Sequence, residues 1–309
     1  MAQYRVCLIS FLRNDELKPE SFDILKNELA EHYSVIPLLI SGSELDGLGT
    51  EIMNIVIPES TKYRRIKKTF HLIDADYYFC MDSDIILDID KTLSLIQLTI
   101  EKDLDISWGR IGVSRTGNLV EKLIDIDKIL SHSIIRPTLW KLNVGITIPG
   151  QTFLFKKESL IKAFNFRNTF LDDLAVGTYV RKNIKSLKIS PTKNTIGFEA
   201  PSKNFVELLE QRKRWANGYR SMILDTKNTS SFKYVLTHGF SYHFLWIFVY
   251  GLFGLALWLN IYIFIFTMVL TIFFLSGKSL PKFFYSIIYL AIFPFIHIWW
   301  FYCLLEKDA

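Results

Sequence analysis

The chain is poor in cysteine, with 3 among 309 residues, and Cys7, Cys80 and Cys303 each stand in or beside an apolar run. That number and scatter exclude a disulfide framework or a cysteine zinc site and point to buried thiols in a reducing compartment. No cleavable leader is expected, because residues 1–5 run directly into the apolar stretch 6–10, which is too short to span or to be processed. A cytoplasmic location is therefore expected for the first part of the chain. Nor is charge of one sign in marked excess: Lys+Arg 36 against Asp+Glu 31 leaves +5, too slight a bias to nominate nucleic acid as a partner. The most informative lack is local. Residues 234–277 carry no charge, and only Lys278, Lys282, Glu306, Lys307 and Asp308 are charged after position 236. A wholly soluble or disordered chain is excluded by that stretch, and two physical objects are expected in one chain.

Before the uncharged stretch, short apolar runs alternate with helix-like segments. Strands are expected at 6–10, 35–40 and 77–81, and helices at 20–32, with Phe22, Ile24, Leu25 and Leu29 inward, and at 64–73. Such alternation predicts an α/β fold with a largely parallel sheet, whose ligands sit beyond the carboxyl ends of the strands. No repeat or Pro/Gly-rich linker interrupts residues 1–200, which are read as one domain. Residues 201–236 are read as amphipathic interfacial helices and 237–309 as a membrane domain.

Three clusters carry chemistry. Asp82 and Asp84 directly follow the buried run 77–80 and share one side of an extended segment. Two carboxylates so close repel unless a cation sits with them, and a divalent metal carrying a diphosphate suits the pair; capping of a loop is the plainer alternative. Asp172 and Asp173 precede a helix-like stretch, 174–183, where helix capping is again the plainer reading. Gln211, Arg214 and Trp215 fall at i, i+3 and i+4 of a helix that Asn204 and Glu207 can cap as a capping box. An amide, a guanidinium and an indole on one patch can bind a hydroxyl, a phosphate and a sugar ring. A basic helix lying on anionic lipid is the alternative.

The order of these motifs, with Gly150, Gln151, Thr152 and Phe153 between the first two, resembles that of family 2 glycosyltransferases. The likeness is to the membrane-embedded subgroup that includes cellulose, chitin, hyaluronan and poly-N-acetylglucosamine synthases, and it covers about the first 220 residues. Lys62 is similar to the family's lysine on the helix before the metal strand, and Asn14 to the turn after the first strand. The resemblance implies a GT-A fold and inverting transfer from a nucleotide-diphospho-sugar, with a uridine diphosphate sugar as the expected donor. It implies that Asp84 binds Mg²⁺ or Mn²⁺, and that Asp82 contacts the nucleotide or assists the metal. Asp173 would be the general base beside Asp172, Arg214 and Gln211 would serve the departing diphosphate, and Trp215 the acceptor sugar. The chain departs from the pattern in having Asp172 for the family's usual Glu, and Ile40 and Ser41 where a pair of acids usually stands.

Lipid physics divides the tail. The 44 uncharged residues from 234 to 277 would form a helix about twice as long as the ~30 Å hydrocarbon core is thick, so the run must fold back. Spans are expected at 240–258, 261–275 and 283–305, with Lys278 and Lys282 in a loop on the cytoplasmic side. His243 and His297, in or beside spans, are read as hydrogen-bonded packing residues. The expectation is a multi-pass protein of the inner or plasma membrane with its catalytic domain in the cytoplasm. Its acceptor would be a growing glycan or a lipid-linked molecule, its immediate surroundings the lipid bilayer, and self-association or a partner membrane subunit remains open. Two other readings stay beside it: a catalytically weak partner of another synthase, and a prenyl-phosphate glycosyltransferase.

Overall fold

Arg5–Phe11, buried from its second residue onward, forms β1, a central strand as its continuous apolar run requires. In this computed structural model, residues 4–12, 19–45, 51–58, 62–161, 172–184, 186–277 and 279–306 are described. After β1 come α1 (Glu20–Ala30), β2 (Ser34–Ser41), β3 (Met53–Val56), α2 (Lys62–Leu72), β4 (Tyr77–Asp82), β5 (Ile85–Leu87), α3 (Ile89–Glu101) and β6 (Ile106–Val113). Two helices, α4 (Leu119–Ile129) and α5 (Arg136–Lys141), joined by a π-helical turn at Leu130–Ile135, precede β7 (Thr152–Lys156), α6 (Lys157–Ile161), α7 (Asp172–Asn183) and β8 (Ile189–Glu199). The remainder is helical: α8 (Phe205–Thr226), α9 (Phe232–His243), α10 (Leu245–Leu259), α11 (Ile261–Leu275) and α12 (Leu280–Leu305).

These elements form two units, Met1–Ser114 with Ile146–Ala200, and Arg115–Gly145 with Pro201–Ala309. Residues 115–145, which the sequence reading leaves inside a 1–200 domain, thus belong with the C-terminal helices.

The first unit is built on an eight-stranded sheet of order β3-β2-β1-β4-β7-β6-β8-β5. Strands β3, β2, β1 and β4 are parallel, as expected, but β7 runs antiparallel between β4 and β6, so the sheet is mixed. Its core joins Val6, Leu8 and Phe79 of the sheet to Phe22, Leu25 and Leu29 of α1 and Leu95 and Ile96 of α3. Each such side chain contributes about 1.5–3 kcal/mol by leaving water. Phe22, Leu25 and Leu29 recur at helical spacing, whereas Ile24 is 45% exposed and lies outside the stripe, contrary to expectation.

In the second unit α4 begins with a capping box, Asn118 receiving the Glu121 N–H and Glu121 reaching back. Asn204 caps α8 by accepting the Glu207 N–H at 2.9 Å; the Glu207 carboxylate accepts the Lys203 N–H rather than completing the expected box. Helix α9 lies against α8, where the Tyr219 hydroxyl donates to the Val235 carbonyl at 2.6 Å. Helices α9 and α10 meet at a 49° bend. Asn260 ends α10 and caps α11 through the Tyr262 N–H at 2.7 Å, so the uncharged stretch does fold back where expected. Beside α12, His243 Nδ1 faces His297 Nδ1 at 3.1 Å and its ring stacks on Trp300.

Candidate active site

The buried run of β4 delivers Asp82 to the carboxyl end of the sheet, level with Phe11 of β1. Ser83 and Asp84 make the two-residue turn into β5, with Asp82 half-buried and Asp84 exposed. Because β7 is antiparallel, its leading turn comes back to the same edge: Met81 pairs with Thr152, and the Asp82 N–H donates to the Gln151 carbonyl at 2.9 Å. Here Lys62, the first residue of α2, ties the parts together. Its Nζ lies 2.7 Å from Asp82 Oδ1 and also donates to the Gly150 carbonyl. The ammonium sits over the rings of Phe11 and Phe153, at 5.1 and 5.7 Å from their centroids.

Gly150 lies between the two acidic sites. A Cβ at that position would stand 3.2 Å from the Asp173 Cβ, a tight contact that the absent side chain avoids. Asp173, in the first turn of α7, accepts the Leu174 N–H at 2.8 Å, which orients its carboxylate at a helix N-terminus. Helix α7 can lie so close because of Gly177, where a Cβ would meet the Ile146 carbonyl oxygen at 1.7 Å. One lysine thus bridges Asp82 and Gly150, and Gly150 packs on Asp173.

Two further residues complete this edge: Glu199, which was not anticipated from sequence, and Ser41, noted there only as a departure from the family's pattern. Glu199 ends β8 opposite Ile85 and accepts from Gln151 Nε2 at 2.7 Å, holding the Gly150 turn. Ser41, at the end of β2, donates to Asn54 Oδ1 of β3 at 3.1 Å, so neutral groups stand near where the family usually carries acids. Neither pair has a local signature, since 48 and 13 positions separate the partners.

The donor chemistry suits a hard divalent cation. Among the described residues no group of three or more His, Cys, Asp or Glu is gathered around one point. Two carboxylates across a turn are nonetheless the usual protein share for Mg²⁺ that arrives with phosphates and keeps its waters. Asn14 lies outside the described residues, as does the side chain of Asp172, whose backbone opens α7.

Gln211, Arg214 and Trp215 belong to the second unit, on α8, where Arg214 is exposed and the other two half-buried. Trp215 is backed by Arg212, whose guanidinium carbon lies 4.2 Å from the ring centroid. Arg212 is only 4% exposed, and its Nη2 donates to Asp127 Oδ2 of α4 at 2.7 Å. The same carboxylate receives the hydroxyls of Tyr289 at 2.8 Å and Tyr242 at 3.3 Å. Burial pulls the Arg212 pKa down, but the Asp127 charge outweighs it and leaves the guanidinium above its ordinary value. Arg212 is therefore a buried ion-pair partner and does not face lipid.

A family model described as glycosyl transferase family group 2 matches residues 79–303, from β4 nearly to the end of α12. The chain belongs to this family. The group 2 chain resembles, at TM-score 0.56 and 12% identity, the mannosyltransferase PcManGT from Pyrobaculum calidifontis in complex with GDP-Man and Mn²⁺, covering 99% of this chain and 88% of that one. It also resembles glucosyl-3-phosphoglycerate synthase from Mycobacterium tuberculosis in complex with Mn²⁺, UDP and phosphoglyceric acid, at TM-score 0.48 and 13% identity, over 69% of this chain and 76% of that one. No protein of curated function matches. At such identities likeness speaks for fold alone: this is a family 2 glycosyltransferase with a GT-A sheet followed by C-terminal helices, one of them long and apolar.

Proposed function

We propose that this glycosyltransferase moves a sugar, with inversion at the anomeric carbon, from a nucleotide-diphospho-sugar to a membrane-associated glycan or lipid-linked acceptor. The observation that carries the reading is the gathering of Lys62, Asp82, Gly150 and Asp173 at one sheet edge, with Asp84 in the adjoining turn. Asp84 and Asp82 would hold Mg²⁺ or Mn²⁺, which when bound neutralises the diphosphate. Lys62 fixes the orientation of the Asp82 carboxylate. Asp173 takes the proton from the acceptor hydroxyl as its oxygen bonds to the anomeric carbon; the bond from that carbon to phosphate breaks, and its electron pair leaves on the diphosphate.

By motif position, Arg214 and Gln211 answer the charge growing on the diphosphate, and Trp215 offers the acceptor sugar a ring whose other face Arg212 covers. A uridine diphosphate sugar is the first donor to try. The uncharged and outward-facing α10 and α11 support an association with the inner or plasma membrane, with the catalytic unit in the cytoplasm.

Donor hydrolysis and acceptor-dependent transfer, measured separately on Trp215→Ala and Arg214→Ala, test this division of roles. Trp215→Ala should lower transfer by up to about tenfold while leaving hydrolysis in place, the worth of one ring contact. Arg214→Ala should depress both, because the charge it meets develops in both reactions. Equal loss of donor binding in the two variants would contradict it.

A further inference from the structure

Helix α12, with 26 residues, is long and apolar enough to cross a bilayer. Its partners within the second unit speak against a crossing. At its beginning Lys282 pairs with Asp125 at 2.5 Å, Tyr285 receives Lys122 at 3.0 Å, and Tyr289 donates to Asp127. At its end Trp299 donates to the Leu209 carbonyl at 3.3 Å, Arg220 caps the carbonyls of Cys303 and Leu304 at 2.8 and 2.9 Å, and Lys213 lies 3.7 Å from Glu306. These anchors run from 282 to 306, about 36 Å along a helix, which exceeds the ~30 Å hydrocarbon core. All of them come from α4 and α8.

A spanning α12 would have to carry those two helices through the bilayer with it. Helix α4 bears Glu121, Lys122, Asp125, Asp127 and Lys128, and α8 bears seven charged residues among its 22. Such helices stay at the surface, since charges at bilayer depth are strongly disfavoured. The outer face of α12 is a single stripe, Phe284, Ile287, Phe295, Ile298, Tyr302 and Leu305, all exposed. One apolar stripe opposite a line of polar anchors is how a helix lies within an interface.

Helices α10 and α11 differ. Neither has a charge, each has 15 residues, and apart from an inward stripe of Trp246, Phe253 and Ala256 on α10 and Ile272 and Leu275 on α11, most side chains face outward. At the tip of the pair, Trp258 and Tyr262, 81% and 78% exposed, flank Asn260, the residue types favoured where a helix meets headgroups.

We infer that only the α10–α11 hairpin enters the lipid bilayer, while α12 lies in the plane of its surface, so that the C-terminus stays on the side of α8 and the N-terminus. The inference rests on the reading of the second unit as membrane-bound and replaces the span expected at 283–305.

The test uses the full chain with one epitope before Met1 and another after Ala309, in inverted and right-side-out vesicles treated with protease and washed with alkaline carbonate. Both epitopes should be cut in the same vesicle orientation, and the chain should stay in the washed membranes. Epitopes cut in opposite orientations would overturn the in-plane helix while leaving membrane binding standing. Release of the chain by carbonate would overturn the inserted hairpin and the membrane reading together.

Discussion

Replacing Asp173 by Asn should slow sugar transfer by about 10²–10⁴, the usual share of a positioned base, while the same change at Asp172 should cost far less. Asp173 sits against Gly150 with one carboxylate oxygen engaged by the Leu174 N–H, an arrangement that leaves the group oriented without burying it. Asparagine keeps that shape and still accepts from the backbone, so the fold and donor binding should survive. Only the capacity to take a proton is removed. Steady-state transfer, with circular dichroism as a control for folding, makes the comparison. If Asp172→Asn proved the more damaging, the base would be Asp172.

Replacing Asp127 by Ala should destabilise the helical unit by about 3–5 kcal/mol, because it strands the buried Arg212 charge and leaves the Tyr289 hydroxyl without its acceptor. The cost comes from the orphaned partner more than from the lost attraction. A paired replacement, Asp127→Leu with Arg212→Met, should therefore recover the part of the loss that comes from the stranded charge, while the Tyr289 hydroxyl stays without its acceptor. Thermal unfolding in detergent, followed separately for the three chains, reads the effect. A single variant as stable as the parent would show that the network holds nothing together.

What could be read from the residues in advance differs between the two sites. The end of β4 was legible because a run of buried residues followed at once by acids is a local pattern, and helix spacing placed Gln211, Arg214 and Trp215 on one patch. Strand direction was not legible: the apolar run of β7 reads the same either way, yet its antiparallel entry is what brings Gly150 to Asp82. Residues 115–145 show no change of composition, and α4 looks like any amphipathic helix until its partners appear. Those partners, Arg212, Lys282 and Tyr289, lie 85 or more positions onward. Arg212 shows the limit most plainly, because a basic residue amid Lys213 and Arg214 suggests an exposed run, and only its distant carboxylate makes burial tolerable.

The most direct test of the account is the release of nucleoside diphosphate from a panel of nucleotide sugars by the purified full chain, with Mn²⁺ or Mg²⁺ and again with a chelator. The account predicts turnover of one donor that depends on the divalent cation and disappears in a folded Asp84→Asn variant. Turnover undiminished by the chelator, or retained metal-dependent turnover in that variant, would contradict it.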